Sequence, residues 1–225
     1  MSGMWTPWNI GIAATVLTAA AFALALAVVL ARVAYRLPRA LDPQIARDPT
    51  WVHRCYRASF CVAGPVLAII CAWRFGPTLA AAAAILYIVT LLALAWIDAE
   101  TGLLPDMLTL SLLWLGLLVN LNGAFIPLPD AVLGALVGYL ALWCVCRLFF
   151  LITGRIGMGN GDFKLLAALG AWVGWMSLPW ILLVSSSLAL AMAIGLRLAG
   201  RMKAGDTLSF GPYLAGAGIL ALLRY

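Results

Sequence analysis

Residues 78–106 read TLAAAAAILYIVTLLALAWIDAETGLLPD, and the reading of this stretch decides the fold. From Leu79 to Ile97 the run carries no charge, and it is long enough to cross a bilayer core, which takes roughly 20 apolar residues as a helix. It then runs directly into an acid, Asp98, and breaks at Gly102 and Pro105. The same grammar, an apolar stretch closed by Pro, Gly or charge, repeats along the chain. It gives expected helices at 9–34, 58–74, 78–97, 107–121, 131–152, 163–175, 178–200 and 208–223. The 163–175 segment is short for a full span. Its Gly-rich lead-in points to a partly broken entry, which membrane depth tolerates only against protein or a wet cavity. The chain is read as all-α: a polytopic transmembrane helix bundle of about eight spans, forming one domain over residues 1–225.

Composition excludes the alternatives. Of 225 residues, 65% are hydrophobic and only 10% charged, whereas soluble domains carry about 25% charged residues. A soluble chain of this size could not bury so much apolar surface in one core, and a disordered chain needs the opposite balance. The net charge of +6 would suggest nucleic acid only if the basic residues shared a water-facing surface. They sit between apolar spans instead, so no nucleic-acid partner is expected. With the N-terminus outside, 12 of the 14 basic residues fall on the inner side, leaving Arg74 and Arg224 outside. Both termini are then expected outside, with a short basic inner loop at 35–57 carrying one histidine, His53, and one cysteine, Cys55. Met1 to Asn9 holds no Lys or Arg, and the run from Ile10 to Ala31 exceeds a signal-peptide core, so it reads as a retained first span.

Cys61, Cys71, Cys144 and Cys146 lie in apolar stretches, where cysteine acts as a small hydrophobe. No paired zinc spacing exists, and neither a metal nor a cofactor is expected. The runs Gly134–Gly138 and Gly170–Gly174 let helices approach closely.

The acids carry the chemistry. Four of the eight carboxylates, Asp98, Glu100, Asp106 and Asp162, fall in two connections on one membrane face. Asp106, after Pro105, fits a helix N-cap, and Asp130, Asp162 and Asp206 precede apolar helices in the same way. Glu100 reads as solvated, as do Asp42 and Asp48 among the arginines. Asp98 resists such a reading. It ends a span, where the negative pole of the helix disfavours a carboxylate by roughly 0.3–1 kcal/mol. An ionisable group in that position is a functional candidate. Two close carboxylates cannot both ionise easily, so one keeps a proton while the other serves as base. Such a pair can activate water and protonate a leaving amine. The glycines of Gly157-Met-Gly-Asn-Gly-Asp162 would let the chain approach a substrate backbone without Cβ clashes. That loop is neither a dinucleotide fingerprint nor a Walker loop.

Taken together, the stretch from Trp96 through Asp106 to Asn120 and the stretch from Gly157 to Trp172 resemble the two signatures of bacterial type IV prepilin peptidases, the second being that family's Gly-x-Gly-Asp motif. The similarity covers roughly residues 78–222. It implies a multi-pass aspartic endopeptidase of the bacterial inner membrane, with periplasmic termini and a cytoplasm-facing site. Its substrates would be prepilins or pseudopilins of type IV pilus or type II secretion systems, whose basic leader it removes. The motif positions of the family's catalytic aspartates fall on Asp98 and Asp162. Gly159 and Gly161 match the motif glycines, and Lys164 matches its downstream lysine, a site-supporting residue that would orient the loop, steer charge or bind headgroups. Many members carry two Cys-x-x-Cys pairs between their first two spans and N-methylate the new terminus. Here Tyr35 to Arg57 holds Cys55 alone, which cannot build a four-thiolate zinc site, so methylation is expected to be weak or absent. His53 and Cys55 read as solvated or headgroup-facing, and the arginines around them as anchors beside anionic lipid. Two other functional classes remain open: a proton or ion translocator using the same aspartates, and a non-enzymatic pilus or secretion assembly protein.

Overall fold

A computed structural model describes residues 7–42, 45, 51–154, 158–203 and 208–224. Among them the chain is all-α, with eight α-helices and no strand. These are α1 (Pro7–Leu41), α2 (Trp51–Phe75), α3 (Leu79–Thr101), α4 (Asp106–Val119), α5 (Leu128–Thr153), α6 (Asn160–Val173), α7 (Leu178–Leu198) and α8 (Gly211–Leu223). Among the described residues five segments are long and apolar enough to cross a membrane: Ala14–Leu41, His53–Phe75, Leu79–Thr101, Leu128–Thr153 and Trp175–Leu198. This is the build of a multi-pass membrane protein.

The eight expected helices occur in order, but three are too short to span. Helices α4 and α6 have 14 residues and α8 has 13, about 20 Å at 1.5 Å per residue against a core of about 30 Å. Gly102 and Pro105 precede α4, Gly159 and Gly174 bracket α6, and the Gly211–Pro212 pair opens α8. Helices α1 and α2, in contrast, reach well into the loop expected at 35–57. Helix α1 runs through Pro38 to Leu41, because Asp42 N–H still closes onto the Pro38 carbonyl at 2.8 Å. The Arg39 guanidinium also serves the Tyr35 carbonyl at 2.8 Å. His53 is correspondingly buried, not solvated, with its ring edge-on to Tyr35 at 4.9 Å.

The chain divides into two compact units, residues 1–93 and 94–225, with the boundary inside α3. In the first, α1 and α2 pack along a seam of small side chains. Ala23, Ala27, Ala31 and Ala34 are buried on α1, and Gly64 of α2 lies opposite Ala27. Such a seam lets two helix backbones approach where lipid supplies no hydrophobic drive.

In the second unit, α6 is the centre. Every residue from Asp162 to Val173 except Lys164 is buried, as expected of a helix apolar on all faces. Helices α4, α5 and α8 pack around it, and α7 touches it more sparsely. The close approach expected at the glycine runs is present: Gly134 lies against the Gly170 backbone, and a Cβ at Gly138 would come within 2.6 Å of the Leu166 carbonyl oxygen. The Trp172 indole donates to the Leu112 carbonyl at 2.8 Å. Asn120 is fully buried, and its amide donates to the Ala171 and Trp172 carbonyls at the end of α6. Its oxygen accepts the Phe125 and Ile126 N–H groups. The outward faces of α5 and α7 expose Leu148, Leu151, Ile152, Leu183 and Leu190, the surface a lipid solvent requires.

Candidate active site

The site lies wholly within the second unit. Helix α3 delivers Asp98 near its C-terminal end, and Gly102, in the left-handed conformation at φ +66°, stops the helix one turn later. Helix α6 delivers Asp162 as its third residue, after Gly159 at the N-cap. The side chain makes no capping bond, so the capping role open to Asp162 is not the one it plays. Phe163 beside it packs edge-on against Tyr139 of α5 at 6.2 Å, which pins the first turn of α6.

Both carboxylates are buried, Asp98 at 5% exposure and Asp162 at 8%. Their environments differ. The Asp98 Oδ2 accepts the Gly211 N–H at 2.9 Å, while its backbone carbonyl accepts the Ser209 hydroxyl at 3.0 Å. Among the described residues, the Asp162 Oδ1 is buried with no hydrogen-bond partner. Asp162 lies outside the five long spans. Burial, and then the charge of Asp98, pushes its carboxyl up to about 7. The two groups therefore feel one another, and the second one retains its proton near neutrality.

Gly211 supplies the compensation that Asp98 needs at the negative end of α3. It is the first residue of α8, where backbone N–H groups have no partner within their own helix and the local field is positive. The fit requires glycine, since a Cβ on residue 211 would lie 2.6 Å from the Asp98 Oδ2 and 2.9 Å from its Cγ. Sequence reading passed over Ser209 and Gly211. Their signal was the Gly-Pro pair at 211–212, which marks a helix start and hence a set of free N–H donors.

The supporting residues sort differently. A Cβ at Gly161 would meet the Leu104 Cβ at 2.7 Å, so this glycine lets the α3–α4 connection pack on α6. Gly159 faces open space. Lys164 grips both oxygens of Asp106, at 2.6 and 2.7 Å, tying the start of α4 to the start of α6. Asp106 is thus not the N-cap that its position after Pro105 suggests; Pro105 holds that place and Asp106 is the first helical residue. Glu100 is not simply solvated either, because the Trp96 indole donates to it at 2.9 Å. Asp130 sits inside the first turn of α5 without capping it, and accepts the Trp175 indole at 3.2 Å. Asp206, Asp48 and Gly157 lie outside the described residues. Among those described, no group of three His, Cys, Asp or Glu side chains is arranged to hold a metal ion.

Comparison with known proteins bears on the same segments. Residues 85–194 match the type IV leader peptidase family. The chain is 51% identical over 158 residues to a prepilin leader peptidase/N-methyltransferase of Pseudomonas putida, covering 70% of this chain and 55% of that protein. It is 52% identical over 158 residues to the protein of that name from Aeromonas hydrophila, covering 70% and 54%. With the Pseudomonas aeruginosa protein it shares 51% over 152 residues, covering 68% and 52%. The chain thus spans about half the length of the curated relatives it matches. No solved structure is significantly similar to it. Residues 85–194, which hold both aspartates, form a type IV leader peptidase domain.

Proposed function

We propose that this chain is a membrane aspartic endopeptidase that cleaves the basic leader from type IV prepilins or pseudopilins, through water activated by Asp98 and Asp162. The observation that carries the reading is the pair of buried carboxylates, brought from α3 and α6 into mutual influence and held in unlike surroundings. The names of these relatives, prepilin leader peptidases, support the substrate class.

In this mechanism Asp98 starts ionised and Asp162 starts protonated. Asp98 takes a proton from water as the water oxygen attacks the scissile carbonyl carbon. Asp162 passes its proton to the carbonyl oxygen, giving a neutral diol. Collapse of the diol returns a proton to Asp162 and breaks the C–N bond, while Asp98 gives its proton to the leaving nitrogen. Both acids end as they began, and one water has been consumed. The Gly211 N–H holds the base in line, and the Asp162 Oδ1, with no hydrogen-bond partner among the described residues, is not committed to another group. Acid–base work of this kind contributes roughly 10²–10⁴ in rate per group.

The substrate is itself an apolar helix with a basic leader, so it enters laterally from the bilayer, with the leader on the cytoplasmic face of the inner membrane. A basic leader meeting the Asp98 and Glu100 carboxylates is electrostatically matched. The single cysteine of the first connection supports a peptidase with weak or absent N-methylation. The test is incubation of the chain, reconstituted in vesicles, with a full-length prepilin, followed by mass spectrometry of the product. The reading requires one cut after the leader and little or no added methyl mass. Ion flux through the same vesicles without any cut would replace it with the translocator reading.

A further inference from the structure

The first unit holds a cavity of about 450 Å³ that the peptidase reading does not use. It lies between α1 and α2 and is lined by Val28, Ala31, Arg32, Arg36, Arg54 and Arg57, with Tyr35, His53 and Cys61 completing the wall. Three of its features point to a ligand. First, its charge is of one sign: among the described residues no carboxylate lines it and none of the four arginines makes an ion pair. Second, its polarity is graded. Arg36 and Arg54 lie toward the ends of the helices that meet at the 42–50 connection, whereas Val28 and Cys61 lie deeper in the two spans. The eight residue steps from Val28 to Arg36 cover about 12 Å along the helix. Third, the wall is built, since His53 is buried and stands edge-on to Tyr35.

Scattered arginines at a membrane face need no explanation beyond topology. Four guanidiniums around one cavity with an apolar floor, none in an ion pair among the described residues, are a different object, because each offers paired N–H donors in the geometry that phosphate oxygens accept. The gradient from cationic mouth to apolar floor matches a phosphate ester joined to acyl chains. We infer that the cavity between α1 and α2 binds the phosphate of an anionic phospholipid, with Arg32, Arg36, Arg54 and Arg57 on the headgroup and Val28 and Ala31 against the first acyl carbons.

The test uses the full chain in zwitterionic micelles, titrated with short-chain phosphatidylglycerol, phosphatidylcholine or inorganic phosphate, with binding read by native mass spectrometry and by the thermal midpoint. Phosphatidylglycerol is expected to bind and to raise the midpoint, with the other two far weaker. The paired variants Arg32→Gln/Arg36→Gln and Arg54→Gln/Arg57→Gln should each weaken binding by about 25-fold, at roughly fivefold per arginine near a membrane surface. The control pair Arg197→Gln/Arg201→Gln, at the end of α7, should stay within about twofold of wild type. Val28→Trp fills the cavity, keeps every charge and should abolish the preference, which covers the case of an arginine pair that does not fold. Equal binding of phosphatidylcholine overturns the inference, as does equal weakening by the α7 control pair. Inorganic phosphate binding as tightly as phosphatidylglycerol overturns the lipid as its source.

Discussion

Replacing Gly211 with alanine strains the proposed mechanism at the base itself. The added Cβ would sit 2.6 Å from the Asp98 Oδ2, where ordinary contact begins near 3.4 Å, so the carboxylate must retreat by ~0.8 Å. A displacement of about 1 Å in a reacting group costs roughly 10²-fold in rate. Losing the N–H bond to a charged acceptor costs about 1.5–3 kcal/mol, which is a factor of similar size. The two effects share one cause and do not add, so kcat should fall by about 10²-fold, equivalent to about 2.7 kcal/mol of barrier. The Michaelis constant should change little, because the leader and the substrate helix do not touch residue 211 in this mechanism. The matched control is Gly216→Ala on the same helix, where a Cβ meets nothing within 4 Å. Initial rates on a full-length prepilin in vesicles, over a range of substrate, separate kcat from the Michaelis constant. If a folded Gly211→Ala enzyme keeps kcat within threefold of Gly216→Ala, the α8 N-terminus does not position the base.

Three further outcomes follow from the same geometry. The cleavage rate should fall as pH rises through about 7, because Asp162 is held protonated until then and its ionisation removes the acid; a rate flat from roughly pH 6 to pH 9 contradicts the assignment of that proton. Gly161→Ala should destabilise the protein by about 1–3 kcal/mol through its clash with Leu104, whereas Gly159→Ala, into open space at φ −74°, should stay within about 0.5 kcal/mol; thermal midpoints in micelles read both, and equal losses would show that the Leu104 contact does not matter. The Lys164–Asp106 pair is partly exposed, so a double-mutant cycle with Lys164→Met and Asp106→Asn should give a coupling of only about 0.2–1 kcal/mol, and a value above about 3 would make the pair a buried strut instead of a surface tie.

What the sequence made legible was whatever one helix or one loop decides alone. The order of eight helices follows from apolar runs and their breakers, and Asp98 drew attention because a carboxylate at the end of α3 violates local preference. The misreadings share a different cause. Asp106 looked like a cap because its partner, Lys164, is 58 residues away. His53 looked solvated because Tyr35, which covers it, lies across a helix pair. Glu100 is the exception, since Trp96 stands one helical turn before it and was visible at that spacing. Gly211 could not be seen as a partner of Asp98 from 113 residues away, although Pro212 marked the helix start that provides its N–H.

The central claim is that Asp98 and Asp162 act as one catalytic unit. It is tested most directly by prepilin cleavage kinetics for Asp98→Asn, Asp162→Asn and the double variant, each verified as folded in the membrane. The account predicts that each single change costs about 10³-fold or more and that the double variant is no slower than the worse single one, as for groups that work together. A folded single variant that keeps more than about a tenth of the wild-type rate, or single losses that multiply in the double variant, would contradict it.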